Sequence, residues 1–343
     1  RVSVVWGEAV AKPFGCTNGV KQGGVLSPIL FGVYIDELLK NLKYSGLGCH
    51  IGHLFVGALA YADDVVLLAP TTISMKNMLK ICSNFAKDYD VLFNPAKSKH
   101  LVSGTCNTYP DVILDGSTIH KVNTFEHLGN TVGKNCATES IAKCVRRFQI
   151  DVNILMAEFG KVFADSRYQL FKTYCMPLYG CQLWDFSNKQ VDRFFIAWRK
   201  AVRFIWKISY RCHNDLLPLI CEDFPIESQL HKRFLKFFWK MMNSTNDIVK
   251  VCGQLCLNGS QSATCNSLNY ICSKYRVNRC TLRNLDLSQC LDHVNDTNLY
   301  CLDRNRVDLA RVIRELCLAR DGKLISPFTR QELIEIIETL CTS

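Results

Sequence analysis

A chain of 343 residues is long enough for two or three domains with real cores. A hydrophobic share of 48% against 21% charged residues excludes a disordered polymer, and no apolar run approaches the ~20 residues that span a bilayer. The formal charge of +10 is unevenly spread: residues 139–240 hold 17 Lys/Arg against 10 Asp/Glu, residues 1–138 hold 12 against 10, and residues 241–343 hold 12 against 11. The middle third is therefore expected to face a polyanion. The opening "RVSVVWGEAV" lacks the order of a secretory signal and has no initiator Met, which suggests a piece of something longer. Nineteen cysteines occur without any C-x-x-C, and the spacings of Cys252, Cys256, Cys265, Cys272 and Cys280 do not fit a zinc knuckle. Free thiols in a reducing, intracellular compartment are the expectation.

In chain order, "VKQGG" reads as a loop. "VLSPILFGVYIDELLKNL" reads as a helix with Ser27 as N-cap, Pro28 in the first turn, and Leu30, Val33, Tyr34, Leu38 and Leu42 at helical spacing. "ALAYADDVVLLAP" places Asp63 and Asp64 between two apolar, strand-like runs. Adjacent carboxylates repel, and burying them unpaired is costly, so a cation is expected to meet them. A turn is the plain alternative, since Asp is common there. Pro70 and Thr71–Thr72 open a second helix to about Asp90, with Met75, Met78, Leu79, Cys82 and Phe85 on one face.

"VLFNPAKSKHLVSG" reads as strand, proline turn and strand. Asp115–Gly116 marks a hairpin, and "TFEHLGNTV" supplies another short strand. From about Ala137 the pattern is predominantly helical. Its clearest helix covers residues 188–207, with Val191, Phe194, Phe195, Trp198, Val202 and Ile205 on the apolar face and Arg193, Lys200, Arg203 and Lys207 opposite. "NSTND" and "NGSQSATCNS" read as linkers, and helical patterns resume at 304–319 and 329–341.

Four segments in order, "GVKQGGVLSPILF", "AYADDVVLLA", "FNPAKSK" and "FEHLGNTV", resemble the reverse transcriptases of non-LTR (LINE-type) retrotransposons. "YCMPLYGCQLWD" and "WRKAVRFIWK" resemble the thumb and downstream region of the same proteins. The resemblance implies an α+β fold: a partial polymerase palm with an antiparallel sheet over residues 1–135, a basic helical thumb over 136–243, and a helical C-terminal region over 244–343. It implies RNA-directed DNA polymerase activity by nucleotidyl transfer, two Mg²⁺ ions, an RNA template, a DNA primer and deoxynucleoside triphosphates. It implies a nuclear location and no membrane partner. The alternative is a non-catalytic nucleic-acid-binding remnant of such a protein.

By the same resemblance Asp63 is a metal ligand, Asp64 its acidic neighbour, and Tyr61 and Ala62 complete the Y-x-D-D turn. Gln22, Gly23, Gly24, Ser27 and Pro28 lie by the incoming nucleotide and template. Lys97 offsets charge on the leaving pyrophosphate, with Lys99 as its competitor. Phe125, Leu128 and Gly129 belong to the primer grip, while His127 reads as structural. Arg193, Lys200, Arg203 and Lys207 are assigned to the nucleic-acid backbone. The family carries another catalytic Asp upstream of the Gln-Gly loop. Glu8, in no recognisable setting, is the only acid in the 21 residues before Gln22. An inactive fragment is therefore the expectation for residues 1–343.

Overall fold

The computed structural model describes residues 2–15, 19–21, 23–104, 110–134, 136–278, 287–299 and 304–320. It divides into two units, Arg1–Val122 and Asn123–Ser343.

In the first unit, β1 (Val5–Trp6) and β2 (Ala9–Val10) form a small antiparallel hairpin. Helix α1 (Ser27–Tyr44) follows. Ser27 is its first helical residue and not its N-cap: Leu26 occupies that position, and the Ser27 hydroxyl donates instead to the Lys21 carbonyl at 2.6 Å. The buried face is Ile35, Leu38 and Leu42, with Phe31 packed beside them. Leu30, Val33 and Tyr34, expected on the apolar face, are exposed. The apolar stripe is rotated by one residue, because the 31/35/38/42 series keeps helical spacing as well as the expected series does.

Hairpin β3 (His50–Ile51) and β4 (Leu54–Phe55) precedes hairpin β5 (Ala58–Tyr61) and β6 (Asp64–Leu67). Helix α2 (Thr72–Asp88) starts at Thr71, whose Oγ1 accepts the Ser74 N–H at 3.1 Å. It buries Met78, Leu79, Cys82 and Phe85, as its spacing predicts. Met78, Cys82 and Phe85 join Ile35, Leu38 and Leu42 of α1 in one core, with Ala58 and Leu67 packed against it.

Two details differ from expectation. The strand predicted before the 95–97 turn is irregular backbone, although Phe93 still packs on the core. The pairings also remain separate two-stranded pieces instead of one antiparallel sheet, and β7 (Lys99–His100) pairs in parallel with β10 (His120–Lys121). β8 (Ile113–Leu114) and β9 (Ser117–Thr118) close around Asp115–Gly116, both at left-handed φ (48° and 80°), which is the hairpin that dipeptide encodes. Ribbons this short hold only where a helix backs them, and Leu114 and Leu79 share one such cluster.

The second unit opens with hairpin β11 (Thr124–His127) and β12 (Asn130–Gly133), where the residue pattern reads as one short strand and the resemblance implies a hairpin. Helices α3 (Cys136–Phe159), α4 (Ala164–Tyr174), α5 (Asp192–Trp206), α6 (Leu216–Ile220), α7 (Ile226–Met242), α8 (Asp247–Leu257), α9 (Ala263–Tyr275), α10 (Leu287–Leu299) and α11 (Arg304–Arg320) follow. They surround one continuous core that holds every apolar residue predicted for α5, with Phe148, Phe171, Phe234 and Phe238. Of the predicted linkers, "NSTND" is the turn between α7 and α8, whereas the second is loop only over residues 258–262. Ala263–Ser267 lies inside α9, and Cys256, Leu257, Cys265 and Leu268 bury into that same core. The β11–β12 hairpin, grouped by sequence with the palm, falls in this second unit. The helical pattern at 329–341 lies outside the described residues.

Arg167, fully buried, ties three chain segments of this unit together. Its Nε donates to the Ile205 carbonyl at 2.9 Å, and Nη1 donates to the carbonyls of Gly160 (3.2 Å) and Val162. Those acceptors are the end of α5 and the turn between α3 and α4, where helix-terminal carbonyls have no helical partner. Removing the guanidinium leaves several buried acceptors unmet. Arg167→Met is expected to lower unfolding free energy by about 3 kcal/mol or more in urea titration; a loss under ~1 kcal/mol contradicts the assignment.

His231 on α7 is buried, with Nδ1 2.8 Å from the Tyr275 hydroxyl. Burial, assisted by the Lys274 ammonium, pulls its imidazole down to about 3. The folded state therefore holds it neutral while the unfolded chain takes up a proton below ~6.5. Its contribution to stability is complete above that value and is lost as pH falls toward 3, by up to about 1.4 kcal/mol per unit. Urea midpoints between pH 7.5 and 4.5 should fall less in His231→Gln than in the wild type, and parallel falls contradict this.

Candidate active site and nucleic-acid interface

The chain reverses at Ala62–Asp63, a two-residue turn flanked by the Tyr61–Asp64 pair. Ala62 takes a left-handed φ of 51°, the strained member of that turn. Tyr61, Ala62, Asp63 and Asp64 are all exposed. The premise that these carboxylates are buried is corrected here: both are exposed, so no burial penalty forces a basic side chain onto them. Leu59–Val66 and Ala60–Val65 pair behind the tip, and Ala58 and Leu67 anchor it on the α1–α2 core.

Gly23 and Gly24 sit just before α1, Gly23 at φ 77°, while Gln22 lies outside the described residues. A Cβ on Gly24 meets the Ser27 hydroxyl at 2.6 Å and the Lys21 carbonyl at 3.1 Å, so only glycine lets these groups approach. Pro28 lies in the helix's first turn. Lys97 is exposed, its N–H held by Asn94 Oδ1 at 3.1 Å, and Lys99 Nζ reaches only the Ala96 carbonyl at 3.5 Å.

In the second unit Phe125 is half-buried on β11, and the turn residues Leu128 (φ 47°) and Gly129 (φ 72°) are exposed. Asn130 Nδ2 donates back to the Leu128 carbonyl at 3.2 Å. Arg193, Lys200 and Lys207 are exposed along α5 and at its C-cap. Arg203 departs from them. It is half-buried, its Nη2 donating to the Cys212 carbonyl (2.7 Å) and Asn214 Oδ1 (2.8 Å), and its Nη1 to the Arg199 carbonyl (3.3 Å). Its guanidinium is committed to the loop after α5.

Two features were missed from the sequence: the α7 lysines, which carry a legible signal, and Tyr179, which carries none. Lys232, Lys236 and Lys240 recur at four-residue spacing on α7, so they share one face. Burial and then Lys236 draw the Lys232 amine below its ordinary value. Tyr179, exposed beside Gly129, is the other.

Asp63 and Asp64 offer the hard oxygen donors that Mg²⁺ prefers. Among the described residues, however, no group of three or more His, Cys, Asp or Glu is placed to hold a metal, so the donor set is incomplete for a two-ion site. No described helix is long and apolar enough to cross a membrane.

A carboxylate pair on a two-residue hairpin backed by helices is a polymerase-palm arrangement. Residues 5–132 match the family model described as reverse transcriptase (RNA-dependent DNA polymerase). The chain is 26% identical over 192 residues to the "Retrovirus-related Pol polyprotein from type-1 retrotransposable element R2" of Popillia japonica, covering 52% of this chain and 31% of that protein. It is 37% identical over 87 residues to the corresponding polyprotein of the type-2 element R2DM of Drosophila melanogaster, covering 25% and 8%. It is 23% identical over 220 residues to the "RNA-directed DNA polymerase from mobile element jockey" of the same fly, covering 59% and 23%. The matches thus span less than a third of each relative's length. Over residues 5–132 the sequence is thus similar to reverse transcriptases, a family that uses divalent metal ions.

The turn geometry carries its own test. Ala62→Gly, which relieves the left-handed φ, should leave unfolding free energy unchanged or raise it by up to ~1 kcal/mol, whereas Ala62→Val should lower it by ~1–2. Equal stability of the two variants in urea contradicts the strained turn.

Proposed function

We propose that this chain is palm and thumb sequence of a retrotransposon RNA-directed DNA polymerase that extends a DNA primer on an RNA template with two Mg²⁺ ions. The observation that carries the reading is the exposed Asp63–Asp64 turn within a segment that matches reverse transcriptases. When bound, the ions supply positive charge to the phosphoryl oxygens. The chain's own residues do the rest. Asp63 and Asp64 offer carboxylate oxygens at the primer end, and Tyr61 and Ala62 set the turn that presents them. Gly23 and Gly24, with Gln22, give the nucleotide and template close access to backbone, and Lys97 offsets charge on the leaving pyrophosphate. Phe125, Leu128 and Gly129 position the primer. Arg193, Lys200 and Lys207 meet phosphates through the exposed face of α5, joined by the α7 lysines. A reducing, nuclear setting belongs to the same proposal, and no disulfide joins Cys82, Cys175, Cys181, Cys221, Cys256 or Cys265.

The incomplete donor set favours a second reading, a polypeptide that binds nucleic acid without copying it. The 1–343 polypeptide alone is expected to bind an RNA–DNA hybrid yet extend no primer with Mg²⁺. Extension that Asp63→Ala abolishes overturns the non-catalytic reading.

Binding itself should be electrostatic and blind to sequence. Each phosphate contact contributes about −0.7 to −0.9 to the slope of log affinity against log salt. Arg193→Ala with Lys200→Ala should flatten that slope by up to ~2 units for every sequence tried. An unchanged slope removes α5 from the interface.

A further inference from the structure

We infer that Tyr179 is a stacking platform for a base or sugar of the nucleic acid held at the β11–β12 turn; this rests on the proposed reading of that hairpin as a primer grip. The ring is 73% exposed, although the loop that carries it is firmly fixed. Met176, Leu178 and Cys181, which flank it in sequence, are all buried in the helical core. Arg233 Nη1 of α7 donates to the Met176 carbonyl at 2.8 Å, the Leu178 N–H donates to the same carbonyl at 2.8 Å, and the Leu183 N–H donates to the Gly180 carbonyl at 2.9 Å.

The loop and the hairpin tip are fitted to each other at two glycines. A Cβ on Gly129 meets Tyr179 Cε1 at 3.2 Å, and a Cβ on Gly180 (φ 76°) falls on the Asn130 side chain, whose amide also holds the Leu128 carbonyl. One edge of the Tyr179 ring is thus set against the turn, and most of its surface is left open to solvent. Isolated surface aromatics are ordinary. This one differs in being pinned at both ends by buried neighbours and seated on the turn through glycine. A fixed tyrosine loses little conformational freedom when a partner covers it, and its π-face accepts any base. Leu128, itself 38% exposed at the same tip, supplies apolar surface beside it.

The test uses the 1–343 polypeptide and a fluorescein-labelled RNA–DNA primer–template, with anisotropy read across a salt series. Stacking onto one base corresponds to roughly a 5- to 150-fold loss of affinity in Tyr179→Ala. The salt slope should stay at its wild-type value, because no phosphate contact is lost. Tyr179→Trp should restore affinity. Tyr179→Leu keeps apolar cover over Gly129 without an aromatic face, and should remain weak. Wild-type affinity in Tyr179→Leu makes the ring a packing element only and overturns the inference. So does wild-type affinity in Tyr179→Ala while the wild type binds, which leaves the primer-grip reading standing. A wild type that binds no hybrid at any salt overturns the reading and the inference together.

Discussion

Two adjacent carboxylates cannot share a low-dielectric interior without a counter-charge, and the first unit is arranged so that Asp63 and Asp64 never enter one. Apolar strands run up to the pair and away from it. Reversing the chain within two residues puts both acids at the one point where the apolar packing stops. Ala62 accepts a left-handed backbone to make so tight a reversal. Ala58 and Leu67, at the opposite end of the same ladder, seat it on the α1–α2 core. The pair is therefore presented to solvent from a fixed base. Their hard oxygen donors are thereby left open to solvent.

The second unit solves a different problem with the same economy. Carbonyls at helix ends and in turns need donors, and Arg167 meets three, those of Ile205, Gly160 and Val162. Arg203 does comparable service at the loop after α5, which is why a residue that reads as surface charge is drawn inward. With Arg203 turned inward, Arg193, Lys200 and Lys207 are the exposed cations of this set, and the α7 lysines extend the positive character to a second helix. The basic excess counted in the middle third thus divides between structural and surface duties.

Signals confined to a few neighbouring residues were legible. The start of α2 at Pro70–Thr72, Asp115–Gly116 as a turn and the apolar face of α5 depend only on local propensity and a 3.6-residue period. The apolar runs on either side of the pair made the Asp63–Asp64 hairpin legible too. What failed depends on contacts distant in sequence or on near-degenerate patterns. The buried stripe of α1 is one residue from an equally periodic alternative. The Leu128–Gly129 turn has no strong dipeptide signature, so its hairpin was legible only through the resemblance and not from the residue pattern. The polar run at 258–267 looked like a spacer because Cys256, Cys265 and Leu268 reveal their burial only against α7 and its neighbours. The place of Tyr179 beside Gly129 links residues fifty apart, and no local pattern announces it.

The central claim is that the Asp63–Asp64 turn is the catalytic carboxylate pair of an RNA-copying polymerase and needs a further carboxylate to complete its metal site. The most direct measurement is Mg²⁺-dependent primer extension on an RNA template by this chain fused behind an upstream polymerase segment that carries an acidic strand. The account predicts extension by the fusion that Asp63→Asn abolishes while hybrid binding persists. Extension that survives Asp63→Asn contradicts it.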